Sequence, residues 1–294
     1  MKFVELGTVE ENFGLIFDEE PELIYSFSVG FPTRVDRFQI YEKVFGWLSS
    51  ATEEEVREKV VGEKPPLSLS EATLLAPIPR PIHDVICVGL NYRDHITECN
   101  RGLDFIAPEE PTYFSKRASK IYTHGETIPS LVDVDEKLDY EVELAVIIGK
   151  GGKNIPPEEV KNHIFGYAVG NDFSARTIQK ATSQWSRGKG LDGLMAMSSA
   201  IVLAQDMEFP PNRKIQSFVN GELRQSSTTN DVRHDLSYLI SQFSQGTTLE
   251  AGDIFLTGTP AGVAMGMDQP VYLKKGDVVR CEIDGIGVLE NTIG

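Results

Sequence analysis

Glu141 and Glu143 stand two residues apart in LDYEVELAVIIGK (residues 138–150), at the entrance to an otherwise apolar run. Residues two apart in a strand share a face, so the two carboxylates point together while Val142, Leu144 and Val146 point the other way. Side by side and unpaired, two such charges repel, and one is driven towards its neutral form. A hard divalent cation held by oxygen ligands reverses that logic. Taken alone, the pair equally fits a strand edge facing solvent. A third carboxylate alters the balance: GYAVGNDFSAR (residues 166–176) is another apolar strand, broken at Asn171-Asp172. Asp172 with Glu141 and Glu143 makes a facial set of three oxygen donors, with positions left for water and substrate. Oxygen donors alone point to Mg²⁺ or Mn²⁺ rather than zinc. The other reading of Asp172 is an N-cap for the turn that follows it.

Cations come next along the chain. Arg176 and Gln179 follow Asp172 at spacings that share one face of a helical turn. In QWSRGKGLDG (residues 184–193), Lys189 sits between two glycines, in a loop where backbone can approach a ligand closely. Three carboxylates around a dication leave one net negative charge, so an anionic substrate needs Arg176 or Lys189 beside the metal. VICVGLNYRDHITECN (residues 85–100) runs from a strand through a polar turn to His95 and Glu98. Three residues apart on a helix, these side chains meet, and the carboxylate raises and orients the imidazole as a base. The connector RGLDFIAPEEPTYFSKR (residues 101–117) has the length of a lid; its residues 105–114 and the 185–197 loop are expected to line the pocket. DIFLTGTPAGVAMG (residues 253–266) ends a strand in small residues that expose backbone N–H groups and the Thr259 hydroxyl to a carboxylate. Each feature also has a plain reading: a solvated cation, a surface pair, a strand-ending turn.

The elements that must carry these residues divide near residue 70. Residues 1–70 give short strands (KFVEL, NFGLIFD, ELIYSFS) and two helices, the second, ATEEEVREKVV, capped by Thr52. Five prolines in residues 62–84 mark an extended connector. From residue 71 to 294, short strands separated by turn signals such as NGE and DGIG dominate, with helices expected after Asn91, at Pro157–His163 and over residues 234–245. The expected class is α+β, mainly β: a large β domain folded on itself behind a small N-terminal α+β domain. Lys and Arg total 28 against 44 Asp and Glu, a net charge of −16 that disfavours nucleic acid and anionic lipid as partners. No apolar run approaches the roughly 20 residues of a membrane helix. Three scattered cysteines and an N-terminus without a secretory pattern suit free thiols in the cytoplasm, or in an organelle matrix after trimming.

The ordered set VGLNYRDH, FSKRASKI, DYEVELAVIIGK, GNDFSAR, WSRGKGLDG, VNGELRQ and GDIFLTGTPAGV resembles the fumarylacetoacetate hydrolase family from about residue 80 to the C-terminus. The ending PVYLKKGDVVRCEIDGIGVLENTI resembles in particular the branch called domain-containing protein 2. The resemblance implies a mixed β-sandwich roll and a homodimer, with Mg²⁺ or Mn²⁺ held by Glu141, Glu143 and Asp172. It implies catalytic roles for His95, Glu98 and Lys189, and substrate contacts from Arg176, Gln179 and Thr259. The additional upstream metal-binding aspartate of the larger eukaryotic hydrolase has no convincing counterpart, which counts against fumarylacetoacetate itself. The first expectation is a metal-dependent hydrolase cleaving a C–C bond in acylpyruvate-like 2,4-dioxo acids through an enolate. Oxaloacetate decarboxylation or keto–enol tautomerisation is the second, and a non-catalytic metal-stabilised protein binding a small acid is the third.

Overall fold

The computed structural model describes residues 1–7, 13–27, 37–62, 64–99 and 107–294. The first part of the expected lid, residues 101–106, lies outside the described residues. The molecule is α+β and mainly strand. A 12-stranded sheet forms its centre, and a five-stranded sheet packs on one face. In the middle of the large sheet, Val142–Ile148 runs antiparallel to Ile164–Asp172 on one side and to Ile254–Leu256 on the other. Ile254–Leu256 then pairs in parallel with Val85–Gly89, which carries Thr112–Lys116 at the edge.

Central position explains the near-continuous apolar sequence of Val142–Ile148, because a strand covered on both faces cannot alternate. Val142, Leu144 and Val146 join the core beneath the small sheet, with Ile215, Val279, Cys281 and Leu289. Ala145 and Ile147 face the other core, which is completed by the N-terminal helix Arg37–Ser50 through Val44, Phe45 and Leu48. There Phe45 stacks on Phe165 with ring centroids 3.8 Å apart. The small sheet contains the hairpin Lys214–Val219/Glu222–Thr228, turned by Asn220-Gly221 with φ of 52° and 81°. Positive φ at both positions is what that dipeptide tolerates best.

The N-terminal strands are not a separate layer. Lys2–Leu6 pairs with Ala200–Leu203, which pairs with Ile164–Asp172, so the large sheet runs unbroken from the first residues to the centre. The helix Glu53–Val60 has the expected Thr52 cap, made reciprocal by Glu55 in a capping box. The expected helix at Pro157–His163 is of the 3₁₀ type, and two local expectations change. Lys189 ends a four-residue helical turn, Ser186–Lys189, rather than lying in a loop. The short helix Arg176–Lys180 begins after Ala175, so Asp172 closes a strand and caps nothing. Among the described residues no helix is long and apolar enough to cross a membrane.

Candidate metal and active site

Strand register builds the acid cluster. Val142 lies opposite Asn171 and Glu143 opposite Gly170, and the Asp172 N–H donates to the Glu141 carbonyl at 2.9 Å. The three acidic side chains consequently emerge together, with one carboxylate oxygen from each within 4.8 Å of the others. Glu141, Glu143 and Asp172 are only 5%, 2% and 0% exposed, which removes the solvent-facing reading of the pair.

Buried cations surround two of the three. Lys189 Nζ donates to Asp172 Oδ2 at 2.7 Å and also to Glu141 Oε2. Arg176 donates from Nη2 to Glu141 Oε1 at 2.6 Å, from Nε to Asp139 Oδ2 at 2.9 Å, and from Nη1 to Gln179 Oε1 at 2.9 Å. Gly188 lets this happen: a Cβ there would stand 2.5 Å from the Gln179 backbone nitrogen. Lys116, wholly buried, donates to Asp172 Oδ1 and to the Phe173 carbonyl at 2.8 Å. Burial alone raises a carboxyl pKa, yet Arg176, Lys189 and His95 together hold Glu141 well below the usual range. Glu143 goes the other way: burial, then the Asp172 and Glu141 charges, push it well above. Its Oε2 accepts the Gly258 N–H at 2.6 Å.

That asymmetry is the test of a metal ion. The donors are oxygen alone, they are clustered and dry, and one of them is disfavoured as an anion until a positive charge arrives. The bound lysines and arginine do not exhaust the cluster, since each carboxylate has about four lone-pair sites. A Mg²⁺ or Mn²⁺ ion fits this donor set.

His95 and Glu98 meet as their spacing requires, with Nδ1 and Oε2 3.1 Å apart on the helix Arg93–Cys99. Glu98 is itself fixed: its Oε1 accepts the Gly262 N–H at 3.0 Å. It also fills the space a side chain at Gly266 would need, where a Cβ would stand 2.0 Å from Glu98 Cδ. Cys99 Sγ lies 3.7 Å from His95 Nε2. Burial lowers the imidazole pKa, but the Cys99 and Glu98 contacts and the Glu141 charge outweigh it, and His95 is pushed up to about 10.

One cavity of about 460 Å³ brings together His95, Glu98, Glu141, Glu143, Gln179 and Lys189, with Arg176 and Thr259 also in its lining. Asp172 is joined to it through the carboxylate cluster. Val88, Leu90, Phe114, Trp185 and Met265 form an apolar wall, so both expected lining segments contribute, through Phe114 and Trp185. The Thr259 hydroxyl donates to the Val142 carbonyl at 2.9 Å and accepts from Gln225 at 2.7 Å. The backbone N–H of the neighbouring Gly258 serves Glu143. Two residues escaped the sequence reading. Lys116 sits within a motif that was noticed, but nothing in FSKRASKI distinguishes a buried lysine from a solvated one. Asp139 accepts the Ala264 and Met265 N–H groups at 2.8 and 3.0 Å and clamps Arg176 from behind.

Residues 84–294 match the family model described as fumarylacetoacetate (FAA) hydrolase C-terminal. Oxaloacetate tautomerase YisK of Bacillus subtilis is 44% identical over 227 residues, covering 77% of this chain and 75% of its own. A mitochondrial oxaloacetate tautomerase of Bos taurus is 44% identical over 245 residues, covering 83% and 76%. The solved fumarylacetoacetate hydrolase of Exiguobacterium antarcticum superposes over 100% of this chain and 99% of that one, with a TM-score of 0.80 and 34% identity. A family match over residues 84–294, with relatives of this similarity across more than three quarters of the sequence, places the chain in the fumarylacetoacetate hydrolase family.

Proposed function

We propose that this enzyme catalyses the keto–enol tautomerisation of oxaloacetate, using a divalent metal ion held by Glu141, Glu143 and Asp172. The observation that carries the reading is the 44% identity, over 77% and 83% of the chain, to two proteins that are themselves oxaloacetate tautomerases. It moves the first expectation, C–C hydrolysis of an acylpyruvate, to second place. When bound, Mg²⁺ or Mn²⁺ supplies a Lewis acid that polarises the oxygens of a 2-oxo acid and stabilises enolate charge.

The chain's residues do the rest. Lys189 and Arg176 hold Glu141 in its charged form and orient it, and Lys116 and Lys189 fix the position of the Asp172 carboxylate. Gln179 has its carbonyl turned to Arg176, which leaves its amide N–H groups for the substrate carboxylate. In the enol-to-keto direction one proton must reach C3 and one must leave the enol hydroxyl. His95, charged at neutral pH, carries the first, with Glu98 keeping its ring in place. The hydroxyl proton departs to cavity water and a proton returns from water to His95, so the proton count balances with the imidazolium restored, and the reverse reaction retraces the same steps. A tautomerase needs no water activated for attack, and a cationic His95 suits proton delivery better than water deprotonation.

The test is to follow enol oxaloacetate in the presence of Mn²⁺-loaded protein, alongside release of pyruvate from acetylpyruvate and from oxaloacetate. Accelerated decay of the enol without pyruvate release is expected. Pyruvate released from acetylpyruvate, with enol decay at the uncatalysed rate, restores the hydrolase reading. Pyruvate released from oxaloacetate assigns decarboxylation instead.

A further inference from the structure

Every buried cation of the site is already matched to an acid. Arg176 is tied to Asp139 and Glu141, Lys189 to Glu141 and Asp172, and Lys116 to Asp172. The cavity holds one more lysine. Lys180 lines it with an exposed side chain, and among the described residues it makes no hydrogen bond or ion pair. Asp268 shares the lining and is itself engaged in an interaction.

Charge counting gives this lysine a task. Five carboxylates, Glu98, Asp139, Glu141, Glu143 and Asp172, face four cations, His95, Lys116, Arg176 and Lys189, a formal deficit of one. A dication turns the deficit into a single excess positive charge, which the first carboxylate of a 2-oxo acid cancels. A second carboxylate then has no partner in the buried set. Position supplies one. Lys180 is the fourth residue after Arg176 on the helix Arg176–Lys180, so the two share a face about one turn, ~5.4 Å, apart along its axis. Arg176 touches Glu141 at the acid cluster, Gln179 follows it, and Lys180 stands beyond them where the lining reaches solvent. Its flexible four-carbon stem lets the ammonium follow a ligand rather than demand one geometry.

We infer that Lys180 receives the distal carboxylate of a short 2-oxo diacid and sets the preference of this cavity for such diacids over 2-oxo acids with an uncharged tail. The inference rests on the reading that a 2-oxo acid places its first carboxylate at the acid cluster. It goes beyond that reading by assigning the residue that tells oxaloacetate from an acylpyruvate.

Binding without turnover separates the two. Difluorooxaloacetate has no proton at C3 and cannot enolise; its distal methyl ester lacks only the second charge. Both are titrated calorimetrically into Mn²⁺-loaded wild type, Lys180→Met and Lys180→Arg, and unfolding temperatures confirm that the variants fold. The wild type is expected to prefer the diacid by about tenfold, the worth of a charged hydrogen bond at a partly open site. Lys180→Met should lose that preference by weakening the diacid alone, and Lys180→Arg should keep most of it. An unchanged preference in Lys180→Met overturns the inference. Wild type that shows the preference without accelerating enol decay refutes the tautomerase and leaves Lys180 standing. Wild type that binds neither compound refutes both.

Discussion

Two clusters of acid around a base, one in the N-terminal part and one at the centre of the molecule, behave as different materials. In the N-terminal part, Arg57 gathers Glu19, Glu20 and Glu53 at 3.2, 3.3 and 3.0 Å, with those carboxylates 84%, 39% and 45% exposed. At the centre, Lys189 gathers Glu141 and Asp172, both almost wholly buried. Both gather carboxylates around one cation; they differ in their access to solvent. Two unit charges 4 Å apart interact by about 1 kcal/mol in water and about 4 kcal/mol at the effective dielectric of a protein. The outer cluster is therefore a screened ornament on a helix. The inner one holds carboxylates in unequal states, and that inequality is what a metal ion exploits. Charge density alone does not mark a site; charge density that water has left does.

The sharpest way to break the comparison is Glu143→Gln. Metal-dependent turnover should fall by at least about 10²–10³-fold, the scale of losing a preorganised electrostatic contact. The rise in unfolding temperature on adding Mn²⁺ should vanish with it. Because Glu143 is disfavoured as an anion without metal, the metal-free variant should melt no lower than metal-free wild type. A variant that still gains stability with Mn²⁺ removes Glu143 from the ligand set. Lys116→Met comes next. It strips a wholly buried ammonium from Asp172, and a buried pair broken from one side costs about 3–5 kcal/mol. Denaturant unfolding should show that loss, with much of it recovered when Asp172→Asn is added.

A smaller effect is expected from Gly266→Ala, because the new methyl would collide with Glu98 and move it away from His95. Overpacking of this kind costs about 1–3 kcal/mol. The kinetic signature should be a lower kcat with unchanged Mn²⁺ affinity, matching Glu98→Gln. Equal losses of turnover and metal binding would instead mean that the acid cluster had shifted.

What the sequence discloses follows the range of the interaction. The i, i+3 meeting of His95 and Glu98 and the Thr52 cap depend on a few neighbouring residues, and both can be read directly. The common face of Glu141 and Glu143 is likewise local. Bringing Asp172 to them needs a strand pairing, which the apolar runs on either side make readable in outline. Lys116 and Asp139 are opaque for a different reason: their roles come from burial and from partners far away in the chain. Asp139 is bonded by the backbone of residues 264 and 265, and no periodicity announces that. The pairing of Lys2–Leu6 with Ala200–Leu203 is hidden for the same reason, and it carries the large sheet past the division expected near residue 70.

The smallest effects belong to the solvent side and test whether it is as inert as its exposure implies. Arg57→Ala should cost about 1 kcal/mol or less, its three exposed pairs and its place over the Phe17 ring included. Two histidines extend the contrast into pH. His83 is 53% exposed; burial lowers its pKa, but the Asp253 hydrogen bond and the Asp253, Glu250 and Asp84 charges outweigh that and raise it. A raised folded pKa means that the stabilisation is complete below the unfolded value of about 6.5 and is lost as pH climbs through the folded one. Buried His95, pushed up to about 10, follows the same sign, and its larger share is lost steadily from about pH 6.5 until the pH passes that value. Melting temperatures of metal-free protein should thus fall continuously from about pH 6.5 towards pH 10, with His95 contributing the larger part. His83→Gln should remove only a small part of that fall and His95→Gln most of it. An effect of His83→Gln as large as that of His95→Gln would show that exposure does not decide the worth of a charge in this protein.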